Sequence, residues 1–167
     1  RKEGSRPLVD ERLVLLMKLC YLIPVSVFAY SIYRLAWVSI LGYLSIGLTS
    51  AGTTLVLKAK LDPGDYHVWT GYGKEETRLV VRGVYRWIRH PIYAGIFLFI
   101  LGATLVTVPG TPWFLLIPFS ISLTYIIAFL IYASIKETEF LKKKFGDEFI
   151  QYYKRVHPFV PVNKYEE

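Results

Sequence analysis

The chain has almost no cysteine: of 167 residues, Cys20 is the only one. An intramolecular disulfide is impossible, and a cysteine-based metal site is excluded with it. Histidine is nearly as scarce. His67, His90 and His157 all lie outside the long apolar runs, which removes the axial ligand that a membrane-embedded haem carrier needs; no metal site is expected. Charge is absent from long stretches, and there is no internal repeat or low-complexity tract.

What remains is strongly apolar. The composition is 53% hydrophobic and 16% aromatic, with a mean hydropathy of +0.37, and several uncharged runs are long enough to cross a bilayer, so this is an integral membrane protein. The net charge of +7 would suggest nucleic acid in a soluble chain. Here the basic residues flank apolar runs, which points to the positive-inside bias and to anionic membrane lipids, with no nucleic-acid partner.

Four spans are expected. Leu13 to about Tyr33 is the first, interrupted by Lys18, which can snorkel, and by Pro24, which can kink the helix. It is too long for a signal-peptide core and no small-residue cleavage site follows it, so we read it as a retained span. Arg34 marks a short turn before the second span, Leu35 to Leu57, whose Gly42, Gly47, Ala51 and Gly52 suit close helix contact. The polar segment from Lys58 to Pro91 opens with the turn Asp62-Pro63-Gly64-Asp65, and its aromatics suggest that it folds back on the membrane face. Ile92 to Val108 and Trp113 to about Ile135 form an antiparallel hairpin about the turn Pro109-Gly110-Thr111-Pro112. At about 35 Å by helical rise the fourth span should project past the lipid and continue as a polar helix, Lys136 to Phe145. Gly146 then suits a C-terminal cap, and Asp147 starts a short interfacial helix that His157-Pro158 ends.

The architecture expected is an all-α membrane protein with about four transmembrane helices, a pocket at the cytoplasmic rim and an interfacial C-terminal helix. Residues 1–57 hold the N-terminal tail and first two spans, and residues 58–167 the catalytic region around the hairpin 92–135. Of the 20 Lys and Arg residues, 18 fall in residues 1–12, 58–91 and 136–167. Four spans place these three segments on one side, so both termini are expected in the cytoplasm, under a prokaryotic plasma membrane or at the endoplasmic reticulum.

The chemistry concentrates at Arg89-His90-Pro91-Ile92-Tyr93. A proline disfavours the α region for the residue before it and suits the first position of a helix, so His90 should cap a helix that begins at the lipid–water boundary. The backbone N–H groups and positive dipole end there, with Arg86, Arg89, His90 and Tyr93 alongside, suit an anionic group. Because the third span starts where the fourth ends, His90 and Glu137 should lie at similar depth. Glu137 and Glu139 stand about 200° apart around a helix, so one faces the pocket and the other is solvated or paired with Lys142 or Lys143. Arg78, Arg82, Arg86 and Arg89 are spaced to form a snorkelling stripe on an interfacial helix. Gly95 and Gly102 share one helical face and read as packing residues, and Tyr152 and Tyr153 as interfacial anchors.

These residues together resemble a known family. Leu79-Val80, Gly83-Val84-Tyr85, Arg89-His90-Pro91-x-Tyr93-x-Gly95, then Glu137-x-x-x-Leu141-x-x-x-Phe145-Gly146 and Tyr152-Tyr153 look like the isoprenylcysteine carboxyl methyltransferases and their phospholipid N-methyltransferase relatives. The resemblance spans about residues 77–161. It implies an S-adenosylmethionine site lined by Thr77, Arg78, Leu79, Val80, Tyr85, His90, Tyr93 and Glu137, with Arg89 and Glu137 as the catalytic candidates. It also implies a lipidic or prenylated acceptor that enters from the bilayer; the oligomeric state stays open. Two departures bear on the acceptor: Thr138 stands where the isoprenylcysteine enzymes often have a second glutamate, and Ala133 where they have an arginine. The rival readings are phospholipid N-methylation, a sterol-type membrane reductase using a nicotinamide cofactor, and a non-catalytic membrane interaction protein.

Overall fold

The computed structural model describes residues 5–34, 40–63, 72–74 and 78–162. Four stretches among them are long and apolar enough to cross a membrane: Glu11–Tyr33, Ile40–Leu61, Pro91–Gly110 and Trp113–Arg155. Their outward faces carry exposed Leu15, Leu22, Val25, Ile46 and Ile121. In water such a surface would be untenable, whereas in a bilayer it is the lipid contact.

The first crossing consists of two helices, α1 (Glu11–Cys20) and α2 (Leu22–Arg34). Asp10 caps α1 by accepting the Arg12 N–H at 2.7 Å, so the helix begins two residues earlier than the apolar pattern suggests. The break at Tyr21 falls within the turn before Pro24, whose ring crowds the carbonyl four residues back. The second crossing, α3 (Ile40–Leu61), runs past Leu57 to place Lys58 and Lys60 in its last turn, where a cation is favoured by the helix dipole. Residues 35–39, the expected start of that span, lie outside the described residues.

The third and fourth crossings are α4 (Pro91–Gly110) and α5 (Trp113–Arg155). Pro91 occupies the first helical position of α4, as its fixed φ allows. Helix α5 continues without a break from the apolar run into the polar one until Gly146, where φ of 50° turns the chain before the last stretch to Arg155. Thr111 and Pro112 make the reversal between α4 and α5, but α4 packs chiefly on α3, with α2 next and α5 less. The reason is steric. A Cβ on Gly95 would lie 2.7 Å from the Gly52 carbonyl oxygen and one on Gly102 2.9 Å from the Thr49 nitrogen, so the two backbones touch through their glycines.

The main buried cluster joins α1, α4 and α5 through Val14, Met17, Tyr93, Ile126, Phe129, Leu130 and Ala133. The fold is all-helical as expected, with one short ribbon added. Strand β1 (Ser5–Pro7) pairs antiparallel with β2 (Tyr72–Lys74), Arg6 opposite Gly73, which ties the N-terminal segment to the long loop. The arginines at 78, 82, 86 and 89 do not form a helical stripe either. Residues 78–82 form no helix, Arg82 is extended, and a short 3-10 turn, Gly83–Arg86, follows.

Candidate functional site

The site is assembled where the end of α3, the start of α4 and the polar part of α5 converge. The loop reaches it through Gly83, whose φ of 60° few other residues adopt and whose missing Cβ leaves space for the Asp62 carboxylate. That carboxylate accepts the Val84 N–H at 2.8 Å, fastening the 3-10 turn to the end of α3. Tyr85 on the turn is held twice: its hydroxyl donates to the Ala59 carbonyl at 3.0 Å, and its own carbonyl accepts the Tyr152 hydroxyl at 2.7 Å.

The next residues are fixed by the C-terminal segment. The Arg89 N–H donates to the His157 carbonyl and the His90 N–H to the Pro158 carbonyl, both at 2.9 Å. His90 is the N-cap residue of α4, as expected, yet its side chain makes no capping bond. It turns instead toward α5. Nε2 lies 3.0 Å from the Thr138 hydroxyl and Nδ1 3.6 Å from Glu137 Oε2, while Tyr93 donates a short hydrogen bond to Glu137 Oε1. Phe159 closes over the imidazole, ring centroids 6.1 Å apart, and meets Phe97 edge-on.

Glu137 is therefore the carboxylate that faces the site. Glu139 is exposed and pairs with Lys136 at 2.9 Å, so its partner is neither Lys142 nor Lys143: position i−3 lies on its own face of the helix. Burial pushes the Tyr85 phenol well above its ordinary range, and the Glu137 charge adds to the effect. Burial likewise raises the Tyr152 phenol, against the opposing influence of Arg89 and Arg155.

The other expected residues divide. Arg89 is buried, and its guanidinium lies over the Tyr153 ring at 3.8 Å. Burial lowers its pKa, partly offset by Tyr153 and Tyr152, and its Nε and Nη1 have no hydrogen-bond partner among the described residues. Thus Arg89 is joined to His90 through the chain but is not brought onto the His90–Tyr93–Glu137 group. Leu79 packs against the cluster of Phe149, Tyr152 and Val156, Val80 is half-buried and Arg78 exposed; Thr77 lies outside the described residues. Tyr152 is not an interfacial anchor but a buried tie to Tyr85. Thr138 and Asp62 were missed as partners. The signal for Asp62 was a turn motif at a helix end, and for Thr138 its place beside Glu137.

Within the span region, α2, α3, α4 and α5 form an apolar cavity of about 340 Å³, open on one side and lined by residues that include Phe28, Val56, Ile96, Phe99, Ile100 and Phe119. The two threonines in its wall, Thr53 and Thr104, donate to the carbonyls of Thr49 and Ile100. Their hydroxyl protons are already used, which leaves a wall suited to hydrocarbon.

Four lipid-facing crossings with a carboxylate–imidazole–phenol group at one polar end define an integral membrane protein whose candidate site is built from helix ends. Residues 37–148 match the family model described as phospholipid methyltransferase. The chain belongs to that family, which falls in the same family group as the isoprenylcysteine carboxyl methyltransferases, and is a membrane methyltransferase in its coarse class. Comparison with curated proteins and with solved structures gives no match.

Proposed function

We propose that the chain transfers a methyl group from S-adenosylmethionine to a lipidic acceptor, with the carboxylate of an isoprenylated cysteine or a similar lipid-linked acid as the preferred class. The supporting observation is the group at the meeting of α4 and α5, where Tyr93 donates to Glu137 and His90 Nδ1 lies 3.6 Å from the same carboxylate. An ionised carboxylate held in this way is an acceptor for an amine or for ribose hydroxyls, both of which the cofactor carries, so the donor set fits. When bound, S-adenosylmethionine supplies an electrophilic methyl on a sulfonium. Glu137 would hold the cofactor's amine or hydroxyls, Tyr93 and His90 would fix that carboxylate, and Arg78 to Val80 with Tyr85 would line the approach from the loop.

The acceptor reading draws on two further observations. The Nε and Nη1 of buried Arg89, without a hydrogen-bond partner among the described residues, suit the acid group of an acceptor, because each is a donor on a permanently charged guanidinium. The cavity beneath the site accepts hydrocarbon, which suits a lipid chain. A carboxylate attacks a methyl sulfonium without losing a proton, so binding and alignment supply the rate and no general base is required. This agrees with a site whose imidazole and carboxylate are already engaged. The description of the family model favours a second reading, N-methylation of an amine-bearing phospholipid headgroup, for which a proton must leave. Purified protein with methyl-labelled S-adenosylmethionine, offered a farnesyl-cysteine analogue or phosphatidylethanolamine in parallel, separates them. We expect label in the farnesyl-cysteine ester; label in the phospholipid alone would refute the carboxylate assignment.

A further inference from the structure

Several helical threonines share one bond: Thr49, Thr53, Thr104 and Thr107 each donate the hydroxyl proton to the carbonyl four residues back, at 2.7 to 2.9 Å. Thr138, on the polar part of α5, makes no such bond among the described residues. Its hydroxyl lies 3.0 Å from His90 Nε2. A hydroxyl has one proton to give, and its partner among the described residues is that ring nitrogen; Nδ1 faces a carboxylate, which when ionised only accepts, so the hydroxyl donates to Nε2. An imidazole nitrogen that accepts carries no proton, so in neutral His90 the proton sits on Nδ1, the nitrogen aimed at Glu137 Oε2.

We infer that Thr138 is a positioning residue: by donating to His90 Nε2 it sets the imidazole in the Nδ1–H tautomer, so that His90 and Tyr93 present two polar hydrogens to the Glu137 carboxylate from the same side. The inference rests on the reading of Glu137 as the ligand-holding carboxylate and extends it by one residue. It has a chemical consequence. Nε2 is engaged by Thr138 and Nδ1–H faces a carboxylate, so His90 orients Glu137 and takes no proton from the acceptor. At 3.6 Å the Nδ1 contact is longer than a formed hydrogen bond, which leaves the imidazole able to close on Glu137 when a ligand draws the carboxylate into line. The ring is held for this by its burial, by Tyr93 with centroids 5.6 Å away, and by Phe159.

The experiment uses full-length protein labelled with nitrogen-15 in its three histidines, the His90 signals being assigned by their loss in His90→Gln. The variants are Thr138→Val, which keeps the shape and loses the hydroxyl, and Thr138→Ser, which keeps the hydroxyl. At about pH 8, where an ordinary imidazole is neutral, wild type and Thr138→Ser are expected to show the Nδ1–H tautomer. Thr138→Val is expected to show a mixture or the Nε2–H form, and to bind S-adenosylhomocysteine about three- to tenfold more weakly, the loss of one hydrogen bond. Thr138→Ser should restore both. An Nε2–H tautomer in wild type, or an unchanged tautomer and affinity in Thr138→Val, overturns the inference. If wild type does not bind S-adenosylhomocysteine, the methyltransferase reading fails, while the nitrogen spectra still decide the role of Thr138.

Discussion

Tyr152 shows how a single side chain can hold the site without belonging to it. Its hydroxyl satisfies the Tyr85 carbonyl, and Tyr85 in turn reaches α3 through Ala59, so one chain of bonds links the C-terminal helix, the loop and the second crossing. Tyr152→Phe leaves a carbonyl without its donor and should cost about 1–3 kcal/mol. We expect the melting midpoint in detergent to fall by several degrees, with S-adenosylhomocysteine affinity reduced less than by any change at Glu137. The raised phenols of Tyr85 and Tyr152 also fix a sign. An acid whose pKa is raised on folding keeps its proton longer in the folded chain, so its stabilising contribution is constant below the ordinary phenol value of about 10 and is lost as pH climbs above it. Melting measured against pH should decline above about pH 10, and less steeply in Tyr152→Phe. An equal decline in both proteins would remove Tyr152 from the account. At this scale the sequence was most informative where a residue's partner lay at helical spacing or at a helix end: His90 and Glu137 were predictable as neighbours from span depth. Thr138 and Asp62 were not, because their roles depend on which carbonyl or ring nitrogen lies within 3 Å, and no periodicity encodes that.

Helix α4 buries its small residues against α3, and this pair carries the frame on which His90 and Tyr93 are mounted. Gly52→Ala would place a Cβ within 2.7 Å of the Phe99 nitrogen, whereas Gly47 has nothing within 4 Å. We expect Gly52→Ala to lower the melting midpoint in the manner of an overpacked core, about 1–3 kcal/mol, and Gly47→Ala to leave it level or slightly raised. Equal effects would show that the α3–α4 contact is not set by these glycines. The apolar runs, the turn between α4 and α5 and the stop at Gly146 were all readable, since each depends on composition or on one residue with a special backbone. The partnership of α4 with α3 in preference to its hairpin neighbour was not, because small residues on both helices advertise contact without naming the partner. The β1–β2 ribbon was equally hidden: three-residue strands carry too little alternation to separate from a loop. The charged stretch 78–89 misled, since a four-residue spacing of arginines fits a helix until Gly83, with its positive φ, ends that possibility.

For the whole molecule, the arrangement brings the end of α3, the start of α4 and the polar part of α5 to one end, and the Lys and Arg distribution leads us to place that end in the cytoplasm. In a Cys20→Ser background, cysteines at exposed Leu61 and Glu148 should label from one side of the membrane and a cysteine at Gly110 from the other. Labelling of all three from the same side would break the four-crossing topology. The apolar cavity lies among the same four crossings, which suits the proposed entry of a lipid chain from the bilayer. On the proposed function, two helix ends at one depth build a single cofactor site around Glu137. Calorimetric binding of S-adenosylhomocysteine to the purified protein tests it most directly, with NADPH as the competing ligand class and Glu137→Gln and Glu139→Gln as the paired variants. Wild type should bind S-adenosylhomocysteine and not NADPH. Glu137→Gln should weaken binding by about ten- to a hundredfold, as loss of a charge-assisted hydrogen bond worth roughly 1.5–3 kcal/mol requires, and Glu139→Gln should leave it within about twofold, an exposed ion pair contributing little. Binding of NADPH in place of S-adenosylhomocysteine, or an affinity that falls in Glu139→Gln and holds in Glu137→Gln, would contradict the account.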